Sequence, residues 1–375
     1  MTSRLIIADS ERCADQYYAT ALFVPDPFLF LRLDSGESHI LISALEVDRA
    51  RRLARVNQVW QLEEVAARLK AIQPNAVDYA ELVAFFLRER GVTSVEVPQD
   101  FPLGLADELR RLQIQVMALQ GAFWPQRAIK SAEEITAIGA ALTMTSQAMA
   151  TGISLIKNSQ IGGDGMLYMD DKVLTSEWVR GEINATLVRL GAVGIHTIVA
   201  GGDQAADPHE AGHGPLFAHR PIILDIFPRV EQSGYWGDMT RTVCRGSPSP
   251  RAQQAYQALV EAQKVAFATI REGVSGLTVH EAVQAYLTRV GFETKVLNDG
   301  RQAGFFHGTG HGLGLEVHEL PRLGKKGEIL RCGHVVTVEP GLYYPDLGGL
   351  RLEDVVVVEA EGCRILSDFP KVFCL

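Results

Sequence analysis

Thirteen residues, HGTGHGLGLEVHE from His307 to Glu319, contain three histidines and four glycines. In an extended segment side chains alternate faces, so Gly308, Gly310, Gly312 and Gly314 fall on one face and His307 and His311 on the other. Each glycine weakens a regular element by roughly 0.5–1 kcal/mol against alanine, a cost tolerated where a backbone must come close to something. A ligand, a metal or a second backbone is expected against the bare face, with imidazole chemistry on the other. Strict alternation would turn His318 away from His311, so a bend is expected between them if both serve one site.

Nine of the ten histidines follow residue 195, and four acids stand around them beside apolar runs. Asp225 lies in PIILDIF, Asp238 in GYWGDMTRTV, Glu339 at the end of HVVTVEPG and Glu353 in GLRLEDVVVV. A carboxylate in such a strand is expensive to bury unless it is paired or binds a cation. Any one of them could be a structural acid paired with Arg241 or Arg351, but four acids on strand ends beside a histidine-bearing glycine segment point to a metal site. Carboxylates with one imidazole and no thiolate suit manganese, cobalt, iron or zinc, and the carboxylate excess suggests two ions. Such a pair activates water and stabilises charge at a carbonyl, the chemistry of amide hydrolysis without a covalent intermediate. No GxSxG elbow, Walker loop or post-strand GxGxxG competes with this reading.

The elements that must position these residues fall into two halves. The length of 375 residues and a 47% hydrophobic composition allow a full core in two domains or one large one. Up to about Ala122 helix and strand alternate. FLFLRL and HILIS read as strands paired across Asp34-Ser35-Gly36, a helix runs from Asp78 to Arg90 and stops at Gly91, and TSVEV and IQVMAL read as further strands. This half contains only His39 among the histidines and reads as a small α/β domain for binding, covering or dimerising. Near Trp124-Pro125 the pattern breaks, and Ser131 with Glu134 opens a helix in capping-box spacing. The segment 156–171 reads as a long loop with no functional account. A helix carrying Trp178, Ile183 and Leu187 ends near Gly191, and HTIVA follows as a strand with His196 as a satisfied core histidine. Ser249-Pro250 opens a helix toward Gly273, Thr278 with Glu281 caps another that closes at Gly291, and HVVTVE and LEDVVVVE return to strand.

A net charge of -9 argues against a nucleic-acid partner. No apolar run reaches the length of a membrane span. The start MTSRLIIADSERCAD fits neither a secretory nor a transit peptide. Cys13, Cys244, Cys332, Cys363 and Cys374 are scattered, odd in number and without a CxxC pair; a reducing cytoplasm is the expected compartment.

At these residues the chain resembles the M24 "pita-bread" metallopeptidases, and within them the Xaa-Pro dipeptidases (prolidases) and Xaa-Pro aminopeptidases. The resemblance runs through the whole chain and is specific in its second half. It implies a two-domain α/β chain: a creatinase-like N-terminal α/β domain over 1–122, and a pita-bread catalytic domain, α+β with a curved antiparallel sheet, over 123–375. Carried over by motif, LDIFPR supplies Asp225 to one metal, GDMTRTV supplies Asp238 as a bridge, HGTGHGLG supplies His311, TVEPGLY supplies Glu339 as ligand and proton shuttle, and GLRLED supplies Glu353 as the second bridge. Manganese is the first choice of ion, with cobalt, zinc or iron as the others.

The resemblance also implies substrate roles. His318 hydrogen-bonds the scissile amide and its developing charge, and His307 stands beside the metals. His209, in ADPHEAGHG, lines the pocket wall in preference to His213. Arg322, in HELPR, grips a dipeptide's terminal carboxylate, and Arg351 orients a metal-ligating carboxylate. The turn FPRVEQSGYWG is two residues longer than the commonest family spacing, and AGG replaces the frequent ASG before the Pro-His step, so the pocket rim departs from the common pattern. The expected activity is dinuclear-metal hydrolysis of the bond preceding proline in Xaa-Pro dipeptides, by a homodimer. Cleavage of longer Xaa-Pro peptides, or a non-proline substrate on the same fold, are the enzymatic alternatives, and a metal-free binding module is the non-enzymatic one.

Overall fold

The computed structural model describes residues 2–75 and 78–375. The chain forms two compact units, Met1–Arg127 and Ala128–Leu375, consistent with the two-domain α/β class expected from the sequence. The division falls after Arg127 and not at 122, because Phe123 and Trp124 lie in the core of the first unit with Phe28 and Phe30. Arg127 is held to the same unit by its ion pair with Asp15, at 2.6 Å.

In the first unit six strands form one sheet: β1 (Ser3–Ala8), β2 (Phe28–Arg32), β3 (Ser38–Ile42), β4 (Gln58–Gln61), β5 (Ser94–Val97) and β6 (Gln115–Ala118), in the order β4-β3-β2-β1-β5-β6. The β1–β2 and β2–β3 pairs are antiparallel, and β3–β4, β1–β5 and β5–β6 are parallel. The central strands are apolar on both faces because both are covered. Leu5, Leu29, Leu31 and Leu41 face the helix Tyr79–Arg88 through Val83, Phe86 and Leu87, while Ile6, Phe28, Phe30 and Ile40 face Phe123 and Trp124. Burying each such side chain contributes roughly 1.5–3 kcal/mol. The helix begins in a capping box between Asp78 and Glu81, which satisfies two of its free backbone donors.

The second unit carries the acids. Strands β7 (Ile198–Gly201), β8 (Ile222–Ile226) and β9 (Met239–Val243) form an antiparallel sheet in the order β7-β8-β9. The helices Ala132–Asn158 and Ser176–Arg189 cover it through Met149, Ile156, Val179, Ile183 and Leu187. A second antiparallel sheet contains β10 (Gly310–Gly312), β11 (Glu319–Leu323), β12 (Val335–Val338), β15 (Asp354–Glu359) and β16 (Gly362–Ile365), in the order β11-β10-β12-β15-β16. Strands β13 (Gly341–Tyr344) and β14 (Gly348–Arg351) make a hairpin between β12 and β15. The helices Pro250–Thr269 and Gly276–Arg289 supply Leu259, Ala262, Val279 and Val283 to the same core as Val336 and Val356. Arg241, fully buried, ties the two sheets together: its guanidinium donates to the Asp354 carboxylate at 2.8 Å and to the Glu353 carbonyl at 2.6 Å.

Several local readings change. His196 is exposed at φ 59° before β7 begins, so it is a turn residue and not a core histidine. The segment 156–171 is not one long loop: the preceding helix continues to Asn158, and short strands at 160–161, 167–169 and 172–173 fold into a three-stranded sheet. The last long helix is capped by Ser275, whose hydroxyl accepts from the Thr278 amide at 3.1 Å, one turn before the expected Thr278–Glu281 start.

Candidate metal centre

Asp225 sits inside β8, opposite Thr240 of β9 and Ile198 of β7, and not at a strand end. Asp238 lies just before β9, Glu339 just after β12 and Glu353 just before β15. The carboxylates therefore come from the middle strand of one sheet and from the ends of strands in both, and β10 brings His311 to them. Asp238, His311 and Glu353 offer ligand atoms that all lie within 4.8 Å of one another. His311 Nε2 stands 3.8 Å from Asp238 Oδ2 and 3.4 Å from Glu339 Oε1. All five residues line one cavity of about 780 Å³, as do His209, His307, His318 and Arg322.

The glycines explain how β10 reaches this position. A methyl group on Gly310 would stand 1.9 Å from the Thr337 carbonyl oxygen, and one on Gly312 would stand 2.3 Å from that of Leu320. The bare face of the segment thus meets second backbones, β12 on one side and the start of β11 on the other. A register shift between His311 and Gly312 breaks the alternation. The chain then turns through 313–318 without regular structure and returns His318 to His311, with ring centroids 4.4 Å apart and planes at 88°. That is the bend expected from the sequence.

The electrostatics favour a cation. Burial raises Asp238 well above its ordinary value, and Asp225 and Glu339 add to the shift. Glu353 is raised well above its ordinary value by burial and then by Asp238, Glu339 and Asp225. Glu339 is pushed up to about 7 by burial, with Asp225 adding and Arg351 opposing. Burial, helped by the neighbouring His318, lowers His311 to about 3. Its Nδ1 donates to the Gly312 carbonyl at 3.1 Å, which leaves the lone pair on Nε2, the nitrogen that faces the carboxylates. Among the described residues Asp225 Oδ1 is buried without a hydrogen-bond partner. A neutral imidazole lone pair, an unpartnered carboxylate oxygen and mutually repelling buried acids form a donor set that fits a divalent cation.

A directed hydrogen-bond chain supports the cluster. Arg351 donates to Asp225 Oδ2 at 2.7 Å and to the Tyr343 hydroxyl oxygen at 2.7 Å. His307 Nδ1 donates to the Gly308 carbonyl at 2.8 Å, so its Nε2 accepts from the Tyr343 hydroxyl at 3.1 Å. Burial, with Arg351 adding to it, lowers His307 to about 3, in keeping with an accepting nitrogen. On the other side Thr240 donates to Glu353 Oε2 at 2.8 Å and accepts from Arg351 Nε at 3.3 Å. Of the two arginines weighed as partners for the acids, Arg351 pairs with Asp225, whereas Arg241 pairs with Asp354.

Among the described residues the cavity wall includes exposed His209 and not His213, whose Nδ1 lies 3.6 Å from Glu210. Arg322 stands opposite His311 in the β10–β11 register, so both side chains leave the sheet on one face. Tyr343 and Thr240 lie outside the sequence reading. A tyrosine in GLYY and a threonine inside a strand read as ordinary core and sheet residues, and only the register of the hairpin and of β8–β9 brings them to the acids. Lys130 is a further surprise: this buried lysine donates to Glu319 Oε2 at 2.9 Å. The Glu319 carboxylate also accepts from the Glu316 amide at 3.0 Å, which holds the turn that carries His318.

Comparison with known proteins bears on the same residues. The model of metallopeptidase family M24 matches residues 136–360. An uncharacterized peptidase of Bacillus subtilis (strain 168), YqhT, is 36% identical over 175 residues, which are 46% of this chain and 47% of that relative. The matched stretch thus spans about half the length of that relative. A Pyrococcus horikoshii protein named Xaa-Pro dipeptidase is 26% identical over 294 residues, 77% of each chain. The crystal structure of an X-Pro aminopeptidase from Thermotoga maritima MSB8 superimposes with a TM-score of 0.82 at 20% identity, covering 100% of this chain and 98% of that one.

Proposed function

The chain belongs to metallopeptidase family M24, and on that premise we propose that it hydrolyses the peptide bond preceding proline in Xaa-Pro dipeptides. Asp225, Asp238, His311, Glu339 and Glu353 would hold two divalent ions, manganese in first place. The observation that carries this reading is the convergence of these five donors in one cavity, with Asp225 Oδ1 unpartnered and His311 Nε2 turned toward carboxylates. Bound divalent cations would supply acidified water and draw negative charge from a carbonyl oxygen. The protein's own groups account for the remaining work. Glu339, at the cavity wall 3.4 Å from His311, takes a proton from the attacking water and delivers it to the proline nitrogen. His318, at the cavity wall beside His311, donates a hydrogen bond to the developing charge. The chain from His307 through Tyr343 to Arg351 fixes the orientation of Asp225.

The proline-side bond is a tertiary amide without N–H, so recognition must come from the ring and the far carboxylate. Arg322, on the face shared with His311, suits a terminal carboxylate through its planar fork, and His209 completes the wall. The Pyrococcus relative named Xaa-Pro dipeptidase supports the same substrate class. The proposal extends to a cytoplasmic homodimer, on the cysteine usage and the family resemblance. Comparing Ala-Pro with a longer Ala-Pro peptide of neutral sequence on the manganese-loaded protein tests the choice of substrate. A higher kcat/KM on the dipeptide is expected. Faster cleavage of the longer peptide would make the protein an Xaa-Pro aminopeptidase instead.

A further inference from the structure

The cavity wall is chemically two-sided. Besides the four carboxylates it includes Arg322, which acts on Glu339 through space, and then Lys325 and Lys326, and among the described residues neither lysine side chain makes an ion pair. The chain has 45 acidic residues against 36 lysines and arginines, so two adjacent lysines without an ion pair are not explained by a shortage of acids. The fold also holds them in place. Gly327 donates its amide to the Gly324 carbonyl at 2.9 Å, which makes Gly324-Lys325-Lys326-Gly327 a tight turn with the lysines at its two corners. The turn is pressed onto the start of the helix Gly276–Arg289: a methyl on Gly276 would stand 1.9 Å from the Arg322 carbonyl oxygen, and one on Gly327 would stand 2.4 Å from the Gly276 backbone. Glu328 locks both flanks, its carbonyl accepting from the Gly276 amide at 2.8 Å and its carboxylate from the Arg322 amide at 2.8 Å. Two exposed like charges at adjacent corners of a fixed turn cost repulsion and contribute no pairing to the fold.

The order of these residues along the chain gives the cations a use. His311 belongs to the metal cluster, Arg322 faces it across the β10–β11 register, and the lysine turn begins two residues farther on. A dipeptide held by Arg322 ends there. One further residue adds about 3.5 Å of extended chain, plus the reach of its own side chain, which carries an acidic group on toward the turn.

We infer that the Gly324–Gly327 turn is a second carboxylate-binding element, through which Lys325 and Lys326 admit Xaa-Pro tripeptides with an acidic residue after the proline in preference to neutral ones. The inference rests on the Xaa-Pro reading and extends its substrate class beyond dipeptides. Ala-Pro-Asp and Ala-Pro-Asn differ in little but charge, so the ratio of their kcat/KM values on the manganese-loaded protein reports this element. The ratio is expected to favour the acidic peptide about fivefold, the scale of two exposed ion pairs. It should fall toward one in the Lys325→Gln, Lys326→Gln double variant or at high salt, and return when both lysines are replaced by arginine. Calorimetric binding of Pro-Asp and Pro-Asn, which needs no turnover, should show the same preference and the same loss. If Ala-Pro is cleaved while the tripeptide ratio is near one or survives the double variant, this inference is overturned and the Xaa-Pro reading stands. If none of the three peptides is cleaved, the Xaa-Pro reading itself falls, and the inference with it.

Discussion

Glu339 is the residue on which most of the proposed chemistry turns. It lies within 3.4 Å of His311, and burial with Asp225 nearby pushes it up to about 7. Asp238 and Glu353 are raised as well. Below about 7 Glu339 holds a proton that an exposed carboxyl would already have lost, and Asp238 and Glu353 likewise keep theirs to higher pH than exposed carboxyls do. A cation needs the ionised forms, so its binding releases protons, and affinity rises with pH through this region before levelling off. His311 adds nothing to the release, since it is already neutral. Manganese titrations in buffers of different ionisation enthalpy should therefore show proton release near neutral pH and less of it in Glu339→Gln. The same variant should lose about 10²–10⁴-fold in turnover, and full activity in a folded, manganese-replete Glu339→Gln protein would remove Glu339 from the proposed role. The four acids are legible in the sequence because Asp225 interrupts an apolar run, where an unpaired carboxylate is costly, and Asp238, Glu339 and Glu353 stand at the ends of segments that read as strands. Tyr343 is not, because its hydroxyl matters only once the hairpin register sets it between Arg351 and His307.

At the scale of elements, β10 is the piece that permits the site. The sequence showed that its glycine face must meet something, and the structure identifies that partner as backbone on both sides. Gly310→Ala would drive a methyl to 1.9 Å from the Thr337 carbonyl and part β10 from β12. We expect a loss of about 1–3 kcal/mol or more, the range of overpacked cores, read as a lower urea midpoint, together with weaker manganese binding as His311 moves. An unchanged midpoint and affinity would show that the close approach of β10 to β12 does not matter. Helices with strong caps were legible, as at Asp78 and Ser131. The strands within 160–173 were not, because two or three residues carry no readable period. The apolar neighbourhood of His196 suggests a strand, whereas the residue occupies a left-handed turn just before β7.

Across the whole molecule, the separation of roles follows the distribution of histidines. The first unit contains only His39, and the second supplies all five candidate ligands. Alternating strands and helices made the α/β class legible, but the end of the first unit at Arg127 was set by core contacts of Phe123 and Trp124 that no local pattern announces. The family assignment rests on residues 136–360, within the second unit, and the central question there is whether its acids and imidazole make an ion-dependent peptidase for bonds before proline. The most direct measurement is the rate of Ala-Pro hydrolysis as manganese is added back to metal-stripped protein, followed by release of free proline. No proline is expected without the ion, and the rate should rise and reach its plateau at about two equivalents, as a two-ion site requires. Absence of proline release at saturating manganese, with the ion bound and the protein folded, would contradict the proposed function.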